Sequence, residues 1–333
     1  MSIHIKRFLR LLKNVLIILL LLISLVFIIY DFILTKNLKE ISEADDDLYK
    51  NKIFCDDLQI HMVDVDQGDG FVITNKDKVI VVDTGPILNP SAMKNYLKNL
   101  GVKRINILIL THPHQDHFGG LAKILCNFKV DMIYTTEISK NTNMSLVERF
   151  HLKKCEYILE KFNSYNNNSK IETFKNNDET LKILTIDDIK ITFLAPLKSY
   201  KDINNNSLVF KLEYKNISAL FTGDIEKEAE SDLVKFYGDK LKVDILKLAH
   251  HGSESSNSEI FLQKTNPKIA LISCKYANSL SHPHMAVAKL LEKMKISVYR
   301  TDENGSVVLT TDGYEINSNT EKGDYKYGAQ LKP

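Results

Sequence analysis

Between positions 111 and 120 the chain reads Thr-His-Pro-His-Gln-Asp-His-Phe-Gly-Gly, which places three imidazoles and a carboxylate within residues 112–117. The segment directly follows a run at 105–110 that is apolar except for Asn106. Such a run predicts a strand buried on both faces, and a strand of that kind needs a layered framework to cover it. Ligands two residues apart on an extended loop, such as His112 and His114, converge on one metal. The adjacent Asp116 and His117 are placed to face a second ion about 3.5–4 Å away.

The rest of the sequence supplies that framework. Strand patterns at 59–65, 70–74 and 79–82 read as an antiparallel meander, with helical spacing at 91–100 before the run at 105–110. A helix is predicted over 145–162, leading into an Asn-rich stretch through residue 177 that reads as a surface insertion. Strand signals return at 181–185, 189–194, 208–214 and 217–222, then at 243–248 and 269–273, with helices at 226–236 and 286–294 and closing strands near Val298 and Val307. Two halves of similar size, each β then α, suit two sheets packed face to face with helices outside.

Residues 15–34 are apolar apart from Ser24 and Asp31, enough for a helix of about 20 residues to cross a bilayer. Lys6, Arg7, Arg10 and Lys13 precede the run and acidic residues at 45–47 follow, so the positive-inside rule puts the N-terminus in the cytoplasm and the rest outside. A cleaved signal peptide is the competing reading, disfavoured by the length of the run and by the lack of a small-residue cleavage site after it. The expected organisation is a basic tip and anchor at 1–34, a juxtamembrane helix or stalk at 35–57 that lifts the domain off the lipid, a catalytic domain at 58–320 and a tail at 321–333. The net charge is +2, and the four basic residues before the anchor leave a slightly negative remainder, so a strongly basic nucleic-acid surface is absent on average. Cys55, Cys126, Cys155 and Cys274 form no CxxC pair and read as free thiols.

The His-x-His-x-Asp-His segment resembles the signature of the metallo-β-lactamase superfamily. Asp64-Val65-Asp66-Gln67-Gly68-Asp69, Val82-Asp83-Thr84-Gly85, Thr222-Gly223-Asp224, His250-His251-Gly252-Ser253 and Ser281-His282-Pro283 follow the order found in its ComEC-type group, the competence proteins of bacterial DNA uptake. The resemblance covers about residues 58–314. It implies an α/β fold, the four-layer αββα sandwich, with a metal site at the loop ends of its two sheets.

By that resemblance His112 and His114 hold a first metal, Asp116 and His117 a second, and Asp224 bridges them. One of His250 and His251 completes the second site while the other faces substrate. Asp83 braces the metal loop by hydrogen bonding. His282 is expected to bind a phosphate oxygen or to protonate a leaving alcohol. Asp116, His251 and His282 are thus the residues expected closest to the reaction. His151, the one histidine between the cluster and Asp224, falls in a helix and is expected not to ligate, and His61 is read as structural. The implied cofactors are two divalent ions, zinc, manganese or iron, which would bring a shared water's pKa from 15.7 toward about 7. The expected function is a membrane-anchored extracellular phosphodiesterase or nuclease acting on DNA or another phosphodiester, with lipid at 15–34 and a membrane channel as partners. A cell-wall phosphodiester (phosphorylcholine-type) esterase and a non-catalytic partner of an uptake channel are the alternatives.

Overall fold

The computed structural model describes residues 3–52, 54–139, 142–166, 169–175 and 182–322. A long helix, α1 (Ile3–Glu43), leads into the first half: β1 (Leu58–Met62), β2 (Phe71–Asn75), β3 (Lys78–Val82), α2 (Ala92–Asn99), β4 (Arg104–Ile109), α3 (Gln115–Phe118), α4 (Leu121–Leu125), β5 (Lys129–Thr136), α5 (Leu146–Tyr165) and β6 (Lys170–Phe174). The second half holds β7 (Ile183–Ile186), β8 (Ile189–Ala195), β9 (Val209–Tyr214), β10 (Ile217–Phe221), α6 (Lys227–Tyr237), β11 (Ile245–Lys247), α7 (Glu259–Thr265), β12 (Ile269–Ile272), α8 (Met285–Lys293) and β13 (Ser297–Arg300). The chain then turns through α9 (Thr301–Asn304) into β14 (Val307–Thr311) and β15 (Ile316–Thr320).

The strands form two sheets, ordered β15-β14-β1-β2-β3-β4-β5-β6 and β13-β12-β11-β10-β9-β8-β7. Each sheet is antiparallel at its hairpins and parallel where helices connect the strands: β3 to β6 in one, β10 to β13 in the other. Alternation along each strand builds three apolar layers. Ile107 and Ile109 of β4 face Phe210 and Phe221 between the sheets, while Ile105 and Leu108 face the helices α2, α4 and α5. On the far side Leu220, Leu246 and Ala270 pack under α6, α7 and α8. This is the αββα sandwich, and β4 is buried on both faces.

Three expectations change. The Asn-rich stretch contains the edge strand β6, which pairs in parallel with β5 from Met132 to Thr136; the expected insertion is part of the sheet, and residues 167, 168, 176 and 177 lie outside the described set. Strand β5 itself gave no clear signal because Asp131 interrupts its apolar pattern; that carboxylate accepts a bond from Asn106 Nδ2 at 3.2 Å. The segment expected as a juxtamembrane helix or stalk begins as a helix, the continuation of α1, but its Leu38, with Leu34 of the expected anchor, is buried in the cluster under α5. The domain therefore packs onto this helix instead of standing clear of it. Much of the expected tail, from residue 323 onward, falls outside the described residues.

Candidate metal centre

The parallel strands of both sheets end at one rim, and the chemistry-bearing residues follow those ends. Asp83 comes after β3, Thr111 and His112 after β4, Asp224 after β10, His250 and His251 after β11, and Ser273 after β12. In open α/β sheets the carboxyl ends of strands are where loops diverge and leave a crevice. The loops here are held in costly conformations: Asp83, His250 and His251 all have φ between 50° and 56°. Left-handed backbone at residues with a Cβ persists only when surroundings enforce it. Gly223, at φ +53°, admits no side chain, since a Cβ would lie 2.7 Å from Cβ of Ser207.

Asp116, His117, Asp224 and His251 bring one ligand atom each within 4.8 Å of one another. His117 Nε2 lies 3.1 Å from Asp224 Oδ2, and His251 Nε2 lies 3.3 Å from Asp116 and 3.4 Å from Asp224. Beside them, His112 Nε2 and His114 Nδ1 face each other at 3.0 Å. The ring of His112 is 4.1 Å from that of His117, centroid to centroid, so the two groups of donors are contiguous.

Three of these rings have the other nitrogen engaged by the protein. Asp83 Oδ2 lies 2.8 Å from His117 Nδ1, and its carboxylate also accepts from the Thr111 amide and hydroxyl at 2.8 and 2.7 Å. His251 Nδ1 sits 2.9 Å from the carbonyl of Ser273, and His112 Nδ1 lies 3.1 Å from Thr111 Oγ1 and 3.3 Å from Ser207 Oγ. His114 turns its Nε2 toward Glu148 of α5, at 3.5 Å. Such partners fix which nitrogen is free to ligate. Asp83 also groups with Asp69 and His117 as a possible ligand set, but its oxygens are committed to Thr111 and His117, so a bracing part fits it better.

The electrostatics describe a site short of positive charge. Burial pushes His112 and His114 down as neutral imidazoles. Burial would do the same at His117 and His251, but Asp224 and Asp83 hold His117 well above its usual value. Asp224, Asp116 and Asp69 likewise hold His251 up to about 10. Carboxylates that force protons onto buried imidazoles occupy an environment that divalent cations satisfy better. Three buried atoms here, His114 Nε2, His251 Nε2 and Asp69 Oδ1, make no hydrogen bond. The nitrogen and oxygen donors therefore fit metal ions of the zinc, manganese or iron type.

Of the sequence-predicted residues, the structure brings together His112, His114, Asp116, His117, Asp224 and His251, with Asp83 behind them. His250 does not join the cluster: it turns to Glu226 Oε1 at 3.4 Å and Ser255 Oγ at 3.3 Å. His282 lies at the rim, its ring 6.1 Å from His251 and 5.4 Å from His250, with a buried Nδ1 that has no partner. His151 packs near Phe118 and Phe150 and lies outside both donor groups.

The sequence reading missed Lys247. This side chain is 2% exposed, forms an ion pair with Asp69, and places Nζ 3.3 Å from Asp224 Oδ1 and 2.7 Å from the Gly223 carbonyl. Burial pulls its ammonium down, but Asp69 and Asp224 more than offset that and raise it overall. The available signal was a lysine at a core-facing position of a buried strand, between Ile245 and Leu246 on one side and Leu248 on the other.

Comparison with known proteins agrees with this geometry. The family profile described as Metallo-beta-lactamase superfamily matches residues 63–275. ComE operon protein 3 of Bacillus subtilis (strain 168) is 31% identical over 270 residues, covering 75% of this chain and 32% of that protein. Competence protein ComA of Neisseria gonorrhoeae is 26% identical over 248 residues, covering 73% and 31%. The chain thus spans about a third of the length of these relatives. Among solved structures, CmlA beta-hydroxylase E377D mutant superposes with a TM-score of 0.50 at 14% identity, over 77% of this chain and 54% of that one, a likeness of fold alone.

Proposed function

The chain belongs to the metallo-beta-lactamase superfamily, with relatives among the ComEC-type competence proteins, and from that premise we propose that it is a membrane-anchored phosphodiesterase or nuclease acting outside the cell. The observation that carries the hydrolytic part is the convergence of Asp116, His117, Asp224 and His251 beside His112 and His114, at strand ends contributed by both sheets. The phosphodiester part extends the likeness of the site motifs to relatives named as competence proteins, and the anchor is supported by α1, whose stretch from Leu11 to Glu43 contains an apolar run long enough to cross a membrane.

In this reading two divalent ions, when bound, would supply Lewis-acid stabilisation of phosphoryl oxygens and lower the pKa of water. His112 and His114 would hold one ion, Asp116, His117 and His251 the other, with Asp224 between them. The chain's own work is orientation. Asp83 and Thr111 keep His117 turned with Nε2 inward, and the Ser273 carbonyl does the same for His251. Lys247 neutralises Asp69 and one oxygen of Asp224, leaving the other oxygen facing His117 and His251. His282 is positioned to meet substrate. Burial, followed by the neighbouring His251 and His250, pushes it down to about 4, so at neutral pH it is uncharged and acts by donating one N–H bond to a phosphate oxygen. This weakens the general-acid role open from the sequence.

The test uses the full chain in detergent, because Leu34 and Leu38 of α1 are part of the core and a fragment beginning after Asp57 would expose what they cover. Activity is measured with Mn²⁺ or Zn²⁺ on single-stranded DNA, duplex DNA and bis(p-nitrophenyl) phosphate, for the parent and Asp224→Ala. Metal-dependent cleavage by the parent and its loss in the variant are expected. Absence of cleavage of all three with either ion would reject the phosphodiesterase reading.

A further inference from the structure

Helix α5 presents three large apolar side chains to solvent within its first five positions: Leu146 at 85%, Val147 at 63% and Phe150 at 55% exposure. The helix is otherwise well made at this end, with a capping box in which Ser145 Oγ accepts from the Glu148 amide and Glu148 bonds back to the Ser145 amide. A cluster of this kind on a finished helix end marks a contact surface.

Its neighbour identifies the contact. Between α5 and α1 runs a groove of about 710 Å³ whose lining includes Val26, Phe27, Phe150, Lys153 and Lys154, together with Asp31, which is paired to Lys161. Val26 and Phe27 belong to the apolar span of α1, while Tyr157 and Lys161 of α5 meet Asp31 five residues further along. At 1.5 Å per residue, Val26 lies about 7–8 Å nearer the membrane interior than Asp31. The two helices run in the same sense here, so Phe150 stands at the depth of Val26 and the start of α5 points into the same layer. Apolar side chains at that depth with lysines just above are the arrangement of an interfacial helix.

We propose that this groove seats an anionic phospholipid of the membrane that α1 crosses, with acyl chain against Val26, Phe27 and Phe150 and phosphate at Lys153 and Lys154. The proposal rests on the anchor reading above. It lays the catalytic domain directly on the lipid surface through α5, the helix whose Glu148 also faces His114.

The chain contains no tryptophan, so single tryptophans report cleanly. Full-length Leu20→Trp, Phe150→Trp and Phe236→Trp are placed in nanodiscs of phosphatidylcholine and phosphatidylglycerol with brominated acyl chains; Phe236 is an exposed position on α6. Leu20→Trp and Phe150→Trp should both lose emission, the latter at least about twofold for a side chain 5–10 Å into the headgroup boundary, and Phe236→Trp should not. If Leu20→Trp is quenched while Phe150→Trp stays as bright as Phe236→Trp, the anchor stands and the groove proposal falls; that result would point instead to a protein surface over α5. If Leu20→Trp is unquenched, the anchor reading fails and the groove with it. The phosphate contact is read separately by native mass spectrometry from the same discs, where the parent should retain phosphatidylglycerol and the Lys153→Glu/Lys154→Glu variant about tenfold less, one unit of 1.4 kcal/mol. Equal retention would overturn the lysine assignment.

Discussion

At the scale of single residues the site is a balance of buried charge, and Lys247 is the cleanest place to test it. Replacing it with methionine keeps the volume but removes the ammonium shared by Asp69 and Asp224, leaving only the His117 and His251 imidazoles to face them. Breaking a buried pair in this way costs about 3–5 kcal/mol. Urea unfolding of the metal-free Lys247→Met variant should show a loss of that order, partly recovered by adding Mn²⁺ or Zn²⁺; a metal-free variant as stable as the parent would rule out the neutralising role. His282→Ala should leave metal content unchanged and slow activated nitrophenyl esters and DNA by similar factors, whereas a selective loss on the poor leaving group would restore the general-acid role. A third residue, His61, is buried against Tyr96, at 3.0 Å from its hydroxyl, and burial pushes it down to about 4. Its folded-state value is depressed, so the stability it permits is present above the unfolded value of about 6.5 and is lost as pH falls toward 4, by up to about 3 kcal/mol. His61→Phe should flatten stability against pH across that window, and an unchanged slope would contradict the assignment. The ligand cluster was legible because its members are consecutive and chemically distinctive. Lys247, Glu148 and Ser273 were not, and Asp69 stood in a matching segment without a role, because each acts through space from a different strand end, loop or helix. The choice between His250 and His251 depended on which ring the folded loop turns toward Asp116 and Asp224, which no spacing rule encodes.

At the scale of elements, the strands with clean alternation or strong apolar runs, β1 to β4 and β8 to β12, were readable because burial imposes a pattern on them. Strand β5 hides behind Asp131, whose carboxylate is satisfied by Asn106. Strands β6 and β15 are edge strands with half-exposed and polar faces, Lys170–Phe174 and Ile316–Thr320, where little hydrophobic pattern is required. Loop geometry offers a sharper test than strand pattern. Gly223→Ala combines a positive φ with a Cβ 2.7 Å from Ser207, so it should displace Asp224 and abolish hydrolysis while the sheets persist. Parent-like activity with parent-like metal content would show that the turn tolerates a side chain. At α5, Ser145→Ala removes one half of the capping box and should cost about 0.5–2 kcal/mol in thermal or chemical unfolding.

At the scale of the whole molecule, two sheets of differing connectivity meet so that their parallel segments end at one rim, and only their packing brings residues from positions 83 to 282 together. The sandwich class followed from two β-then-α halves, whereas the seating of α1 on the domain did not, since Leu34 closes the membrane run and Leu38 stands alone among charged residues. The same closure gathers Asp69, Asp83, Asp116 and Asp224 around one buried ammonium, Lys247, and divalent metal is expected to restore the balance. Elemental analysis of the full chain, loaded with Mn²⁺ or Zn²⁺ and then desalted, tests it most directly: the parent should retain about two ions per chain, the number such paired sites hold, and Asp224→Ala should retain fewer with circular dichroism unchanged. A parent chain that keeps no metal under any loading condition and is activated by none would contradict the account.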